Sequence, residues 1–146
     1  MIRFATPADL DAVTAVHAAS APTGPEGLAR SRAGWAAAIE HGLALCAVLG
    51  DEVVGAAAWA ERGDAVVLTR FHVSPAHRRK GMGRQLHTGC VDVWNADRFT
   101  HATAAVLGED ERALAFGAAQ DWFPDPRAPR SGDRVVLRLT LAAAPE

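Results

Sequence analysis

The chain has no tyrosine, one lysine (Lys80), two cysteines and two methionines, and aromatic residues make up 6% of it. Without tyrosine, no phenol can act as a general acid, which removes one common proton donor from any mechanism. Cys46 and Cys90 are too few for a disulfide framework and show no metal-ligand spacing, so neither a stapled secreted scaffold nor a metal site is expected. Both are read as small buried hydrophobes in a reducing, cytoplasmic setting. No window approaches the ~18 consecutive apolar residues of a membrane span. The opening Met1-Ile2-Arg3-Phe4-Ala5-Thr6-Pro7 lacks the apolar stretch of a secretory signal. Charge is not in excess either: 15 basic against 17 acidic residues give a net charge of −2. A dedicated nucleic-acid binder carries a large basic surplus, so a nucleic-acid-binding domain built on the basic residues is disfavoured.

What is present is ordinary for a globular protein. The 146 residues are 49% hydrophobic and 22% charged, enough for one domain spanning 1–146 with a core of its own. Ile2 to Phe4 reads as a short strand. Thr6-Pro7-Ala8-Asp9 then opens a helix, with Thr6 as cap, Pro7 at the first helical position and Asp9 at the positive helix end. Leu10, Val13 and Val16 carry that helix to about Ala19. Ala21 to Gly27 reads as a Pro/Gly loop, and a second helix runs from about Leu28 to His41. Strands follow from Leu43 to Leu49, Glu52 to Glu61 and Ala65 to Val73, separated by Gly50-Asp51 and Arg62-Gly63-Asp64 turns. The third of these reads as a central strand, apolar on both faces. A helix over Gly83–Asn95, a strand over His101–Leu107 and a helix over Asp110–Gln120 come next. Phe123 to Arg130 reads as a proline-rich loop, and Arg134 to Leu141 as a half-buried strand near a sheet edge. The order β-α-α-β-β-β-α-β-α-β predicts an α/β (α+β) domain on a mixed sheet.

The densest chemical signal is Val73-Ser74-Pro75-Ala76-His77-Arg78-Arg79-Lys80-Gly81-Met82-Gly83-Arg84. It leaves a strand and enters a helix. Backbone N–H groups at a helix start lack acceptors within the helix and carry the positive end of its dipole. Glycines let that backbone approach a bulky anion. Arg78, Arg79, Lys80 and Arg84 add four positive charges. This is a phosphate or pyrophosphate site in prospect. A P-loop is excluded because Lys80-Gly81 has the wrong order and spacing. The dinucleotide fingerprint is excluded because Gly81-Met82-Gly83-Arg84-Gln85-Leu86 lacks its third glycine and follows a meander, not a first strand.

Arg78-Arg79-Lys80-Gly81-Met82-Gly83 resembles the acyl-CoA-binding signature R/Q-x-x-G-x-G/A of the GNAT superfamily of N-acetyltransferases. Val73-Ser74-Pro75, Leu86, the Ile2-Arg3 opening and Thr6-Pro7-Ala8-Asp9-Leu10 are similar to the same family. Ala113 and Phe116 fall in register with its later N-x-x-A-x-x-F-Y-x-x-x-G-F helix. The resemblance implies a mixed, mostly antiparallel sheet of six or seven strands flanked by four helices. It also implies acetyl transfer from acetyl-CoA, with no metal, to an amine of a small molecule or peptide that attacks the thioester directly. A backbone N–H would hold the oxyanion. The protein's main work would then be positioning its two substrates. The implied CoA contacts are Phe71, His72 and Val73 for the pantetheine arm, admitted where the strands Ala65–Val73 and His101–Leu107 splay. Arg78, Arg79, Lys80, Gly81, Met82, Gly83 and Arg84 would serve the pyrophosphate, with Asp110 and Phe116 alongside. A homodimer pairing through the final alternating strand is compatible with the resemblance.

The chain also departs from that pattern. The family's tyrosine, which protonates the leaving thiolate, falls at Gly117, and the Gly-Phe end is replaced by Asp121-Trp122. A degenerate CoA-binding regulatory module without turnover is therefore the alternative to an acyltransferase. Glu61 and His72 are the candidate catalytic residues, with His101 behind them, although a histidine in an apolar strand is more often structural. Asp110 reads equally as a helix cap, and Trp35 lies where the resemblance implies an acceptor pocket.

Overall fold

A computed structural model describes residues 1–22, 24–128 and 130–142. Thr23 and Pro129, both expected in loops, lie outside the described residues. The strands are β1 (Ile2–Phe4), β2 (Ala44–Leu49), β3 (Glu52–Arg62), β4 (Ala65–Val73), β5 (His101–Leu107), β6 (Phe123–Pro124), β7 (Arg130–Ser131) and β8 (Arg134–Thr140). The helices are α1 (Leu10–Ser20), α2 (Pro25–Glu40), α3 (Met82–Ala96) and α4 (Glu111–Ala119), with single 3-10 turns at Pro7–Asp9 and Pro75–His77. Hydrogen-bonded neighbours run β1-β2-β3-β4-β5-β8-β6, and β7 also pairs with β8. The fold is mixed α/β on a mostly antiparallel sheet, as the sequence implies. Among the described residues no helix is long and apolar enough to cross a membrane.

The chain divides into two compact units. The first comprises Met1–Ala60 and Arg70–Asp92. Here β1 and β3 both run antiparallel to β2, with Ile2 opposite Ala47 and Cys46 opposite Ala56. The β2–β3 register shifts where Ala47 faces Gly55 but Val48 faces Val53, leaving Val54 as an extra residue. Such a bulge reverses which side chains face which side. Val53, Ala56 and Ala58 join Val13, Trp35, Ile39, Ala44 and Cys46 in a core under α1 and α2. Val54 instead packs with Ala47 and Met82 of α3, alongside Ile2 and Val73. Arg3 donates two hydrogen bonds to the buried Asp9 at 2.7 and 3.0 Å, and Asp9 also accepts from Thr6 N–H at 2.8 Å. These bonds tie the start of the helical segment to β1.

The second unit comprises Glu61–Thr69 and the chain from Val93 onward. β5 pairs antiparallel with β8 along its whole length, His101 to Thr140 through Leu107 to Arg134. β4 runs parallel to β5 over three pairs, Ala65–His101 to Val67–Thr103. Trp94 and Trp122 meet edge to face at 6.4 Å, an aromatic arrangement that outperforms a face-to-face sandwich.

Three sequence expectations are corrected. The α2 helix begins at Pro25, because a proline at the first helical position forfeits only an amide that had no partner, and Glu26 suits the positive end. The Phe123–Arg130 loop contains β6 and β7, and Pro124 is tolerated in such a two-residue outer strand. With only two-residue β6 beyond it in the strand order, β8 lies near the sheet edge, as expected. Finally, β4 is not apolar on both faces, since Arg70 and His72 alternate onto one of them.

Candidate functional site

At the end of β4 the chain is pinned by the bulge: Ser74 N–H donates to the carbonyl of the extra residue Val54 at 2.7 Å. His77 N–H then closes the 3-10 turn on Ser74 O at 2.9 Å. Arg79 follows with φ of 66° and Gly81 with φ of 79°. A left-handed arginine costs about 1–2 kcal/mol, and strain of this kind concentrates at functional backbone. At Gly81 no atom lies within 4 Å of where a Cβ would be, so glycine is required there by φ, not by crowding. Gln85 N–H is the first amide to close a helical turn, on Gly81 O at 3.0 Å. The preceding amides of Met82, Gly83 and Arg84 therefore have no acceptor within α3. Arg79, Lys80, Gly81 and Arg84 are exposed, Arg78 and Gly83 are half-buried, and Met82 is buried. The result is a strained, glycine-opened backbone curve with free amides and exposed cations, the chemistry that holds a polyanion.

A second cluster lies on the α1–α2 side of β4. Phe71 and Val73 alternate onto one face, and Val73 packs with the core beside α3. Arg70 and His72 take the other face. The His72 ring stacks on His17 of α1 at 4.0 Å with planes 20° apart. Trp35 Nε1 donates to His17 Nδ1 at 3.0 Å, so His17 carries its proton on Nε2 and is neutral. The Ser20 hydroxyl accepts from Arg78 Nη2 at 3.2 Å and lies 3.2 Å from His72 Nδ1. The Ser20 oxygen has two lone pairs, so it can accept from Arg78 and from a His72 Nδ1–H alike, the tautomer that leaves His72 Nε2 unprotonated. Burial first, then His17, Arg70 and Arg78, push the His72 imidazole down to about 4. Burial and Arg70 lower His17 as well. Both rings are thus neutral at physiological pH; the His17 lone pair is taken by Trp35, and the His72 lone pair is open on Nε2 in the tautomer whose Nδ1–H donates to Ser20. Ser20 physically joins the end of β4 to the basic turn, linking His72 and Arg78 through one oxygen.

The other expected residues lie elsewhere. Glu61 is exposed near the end of β3, in the second unit. Asp110 caps α4, its carboxylate accepting from Ala113 N–H at 3.1 Å, and Phe116 is half-buried on that helix. Gly117 is buried; a Cβ there would stand 3.3 Å from Leu137 Cδ1 and 3.4 Å from Trp122 Cβ. His101 Nδ1 lies 2.9 Å from the neighbouring Thr100 hydroxyl. Burial raises the Cys46 thiol and pushes Cys90 up to about 12, so both stay protonated. Among the described residues no cluster of His, Cys, Asp or Glu could hold a metal ion. Sequence reasoning missed His17, Ser20 and Arg70. The available signals were the three-residue spacing of His17 and Ser20 on one helix face and the two-residue spacing of Arg70 and His72 on one strand face.

The sequence profile of the acetyltransferase (GNAT) family matches residues 12–119. Curated proteins give no sequence match. Among solved structures, the PaiA N-acetyltransferase of Thermoplasma acidophilum in complex with coenzyme A superposes with a TM-score of 0.85 at 14% identity, covering 96% of this chain and 98% of that one. The ribosomal-protein-S18-alanine N-acetyltransferase of Escherichia coli gives 0.82 at 18%, covering 100% and 96%. Ard1 of Thermoplasma volcanium gives 0.78 at 15%, covering 97% of each chain. At such identities the likeness is one of fold.

Proposed function

The chain belongs to the GNAT family of acetyltransferases, and from that premise we propose that it transfers an acetyl group from acetyl-CoA to an amine of a small molecule or peptide. The observation that carries this reading is the turn from Val73 to Arg84, where two left-handed residues and a helix start expose consecutive amides among four basic side chains. Those features fit a pyrophosphate: amides from Arg79 to Arg84 bond its oxygens, and Arg78, Arg79, Lys80 and Arg84 balance its charge. The solved relative bound to coenzyme A is consistent with that use of the fold.

Acetyl-CoA supplies the activated thioester. The chain's own contribution is positioning, with the Phe71–Val73 backbone guiding the pantetheine arm and the turn anchoring the phosphates. His72 stays uncharged, so it neither repels an incoming ammonium nor needs to shed a proton before accepting one. Glu61 is the second candidate proton acceptor. With no tyrosine in the chain, the departing thiolate takes its proton from water or from the acceptor amine; a thiol near pKa 8.5 leaves tolerably without an enzyme acid.

Calorimetric titration of CoA against the parent protein and a Gly83→Glu variant tests the site. Bulk and like charge beside the pyrophosphate should weaken binding at least tenfold, about 1.4 kcal/mol or more. Unchanged affinity in a folded Gly83→Glu protein rules this turn out as the CoA site.

A further inference from the structure

Among the described residues Arg70 has no carboxylate in an ion pair with it. Its side chain reaches from β4 to α2, where the guanidinium carbon lies 5.8 Å from the centre of the Trp35 ring. Gly34 makes room for it: a Cβ at that position would fall 2.1 Å from Arg70 Nη2. The Arg70 Nε is buried and has no hydrogen-bond partner among the described residues. The ion pairs found among the described residues are Arg3–Asp9, Arg32–Asp11 and His77–Glu52, and none reaches Arg70. Its surroundings are the neutral rings of His17 and His72, with a second cation, Arg78, bridged to His72 by Ser20.

Arg70 as a whole is half-buried, and withdrawing even part of a guanidinium from water without a partner is costly; proteins normally compensate it with a carboxylate. Here the fold supplies an aromatic face, which holds the planar group in place but contributes little charge compensation. A fixed, uncompensated arginine fork matches a carboxylate in shape as well as charge. The same cluster can offer the His72 Nε2 lone pair when Nδ1–H donates to Ser20, which suits an amine. The geometry points to an acceptor that carries both groups: a small amino acid whose carboxylate pairs with Arg70 while its amine lies toward His72. This assignment rests on the proposed acetyltransfer and names the acceptor class for it.

The test separates the two readings. CoA affinity is measured first, on the parent protein and on Arg70→Gln and Gly34→Ala. Each protein, with CoA present, is then titrated with the twenty amino acids and their matched carboxamides. Loss of CoA binding by the parent overturns the proposed function, and the amino-acid titrations are then scored on the free protein. The parent should bind at least one amino acid tenfold or more tighter than its carboxamide. Arg70→Gln should bring that ratio below twofold while leaving CoA affinity unchanged. Gly34→Ala retains the charge and improves helix propensity, yet its Cβ displaces the guanidinium, so it should also lower the ratio at least threefold. This second variant keeps the inference testable if Arg70→Gln does not fold. Binding by none of the amino acids, or a carboxylate preference that survives both substitutions, overturns it.

Discussion

Replacing Gly117 with tyrosine fills the position at which the sequence resemblance implies one, and the packing around Gly117 predicts that it will not supply a proton donor. Gly117 is buried, and even a Cβ would lie 3.3 Å from Leu137 and 3.4 Å from Trp122. Leu137 and Trp122 are themselves each 4% exposed, so neither can swing into solvent. Gly117→Ala gains about 1 kcal/mol of helix propensity and loses some of it to those two contacts, leaving stability within about 1 kcal/mol of the parent. Gly117→Tyr adds a whole ring in the same direction. Overpacking of that kind costs about 1–3 kcal/mol, and a protein of this size melts roughly 2–4 °C lower per kcal/mol lost. Urea and thermal unfolding of both variants measure the cost. The dependence of kcat/KM on pH between 6 and 10 then shows whether the phenol takes part. A tyrosine variant as stable as the parent, with a new falling limb at high pH, refutes the packing reasoning.

Two further outcomes follow from charge. Arg3 and Thr6 hold the Asp9 carboxyl down from 3.8 to about 2. Because the folded value is the lower one, this contribution is complete above about pH 4 and fades as pH falls toward 2, amounting to about 2 kcal/mol. Asp9→Asn should flatten stability over that window in urea titrations, and an unaltered slope speaks against the Arg3–Asp9 pairing. His72 sits at about 4 against an ordinary 6.5, so the unfolded chain binds its proton first. Stability is full above pH 6.5 and declines as pH falls toward 4, by up to about 3 kcal/mol. His72→Gln should remove much of that decline, leaving the part owed to His17 and His87, which burial also lowers; an identical decline in the variant contradicts the burial of a neutral His72.

The parts of the molecule legible in sequence are those with local causes. β1, β4 and β5 fall where short apolar runs are bounded by turn residues, and the turn at Arg78–Arg84 is marked by glycines and cations within a few positions. The bulge at Val54 has no local mark, because it exists only as a mismatch between two strands. β6 and β7 are two-residue strands in a proline-rich stretch, and they owe their existence to the amides and carbonyls of β8. The cluster of His17, Ser20, Trp35, Arg70 and His72 is assembled from α1, α2 and β4. Sequence spacing relates His17 to Ser20 and Arg70 to His72, but only packing brings the pairs together.

Amine-dependent release of free thiol from acetyl-CoA tests the central claim most directly. With the parent protein, acetyl-CoA and a panel of amino acids and peptides, at least one amine should release CoA thiol in step with formation of its acetylated product. Without tyrosine, kcat/KM should rise from pH 6 as the acceptor amine loses its proton and reach a plateau by pH 10. CoA binding without thiol release for any amine, or a bell-shaped profile that falls near pH 9–10, contradicts the account.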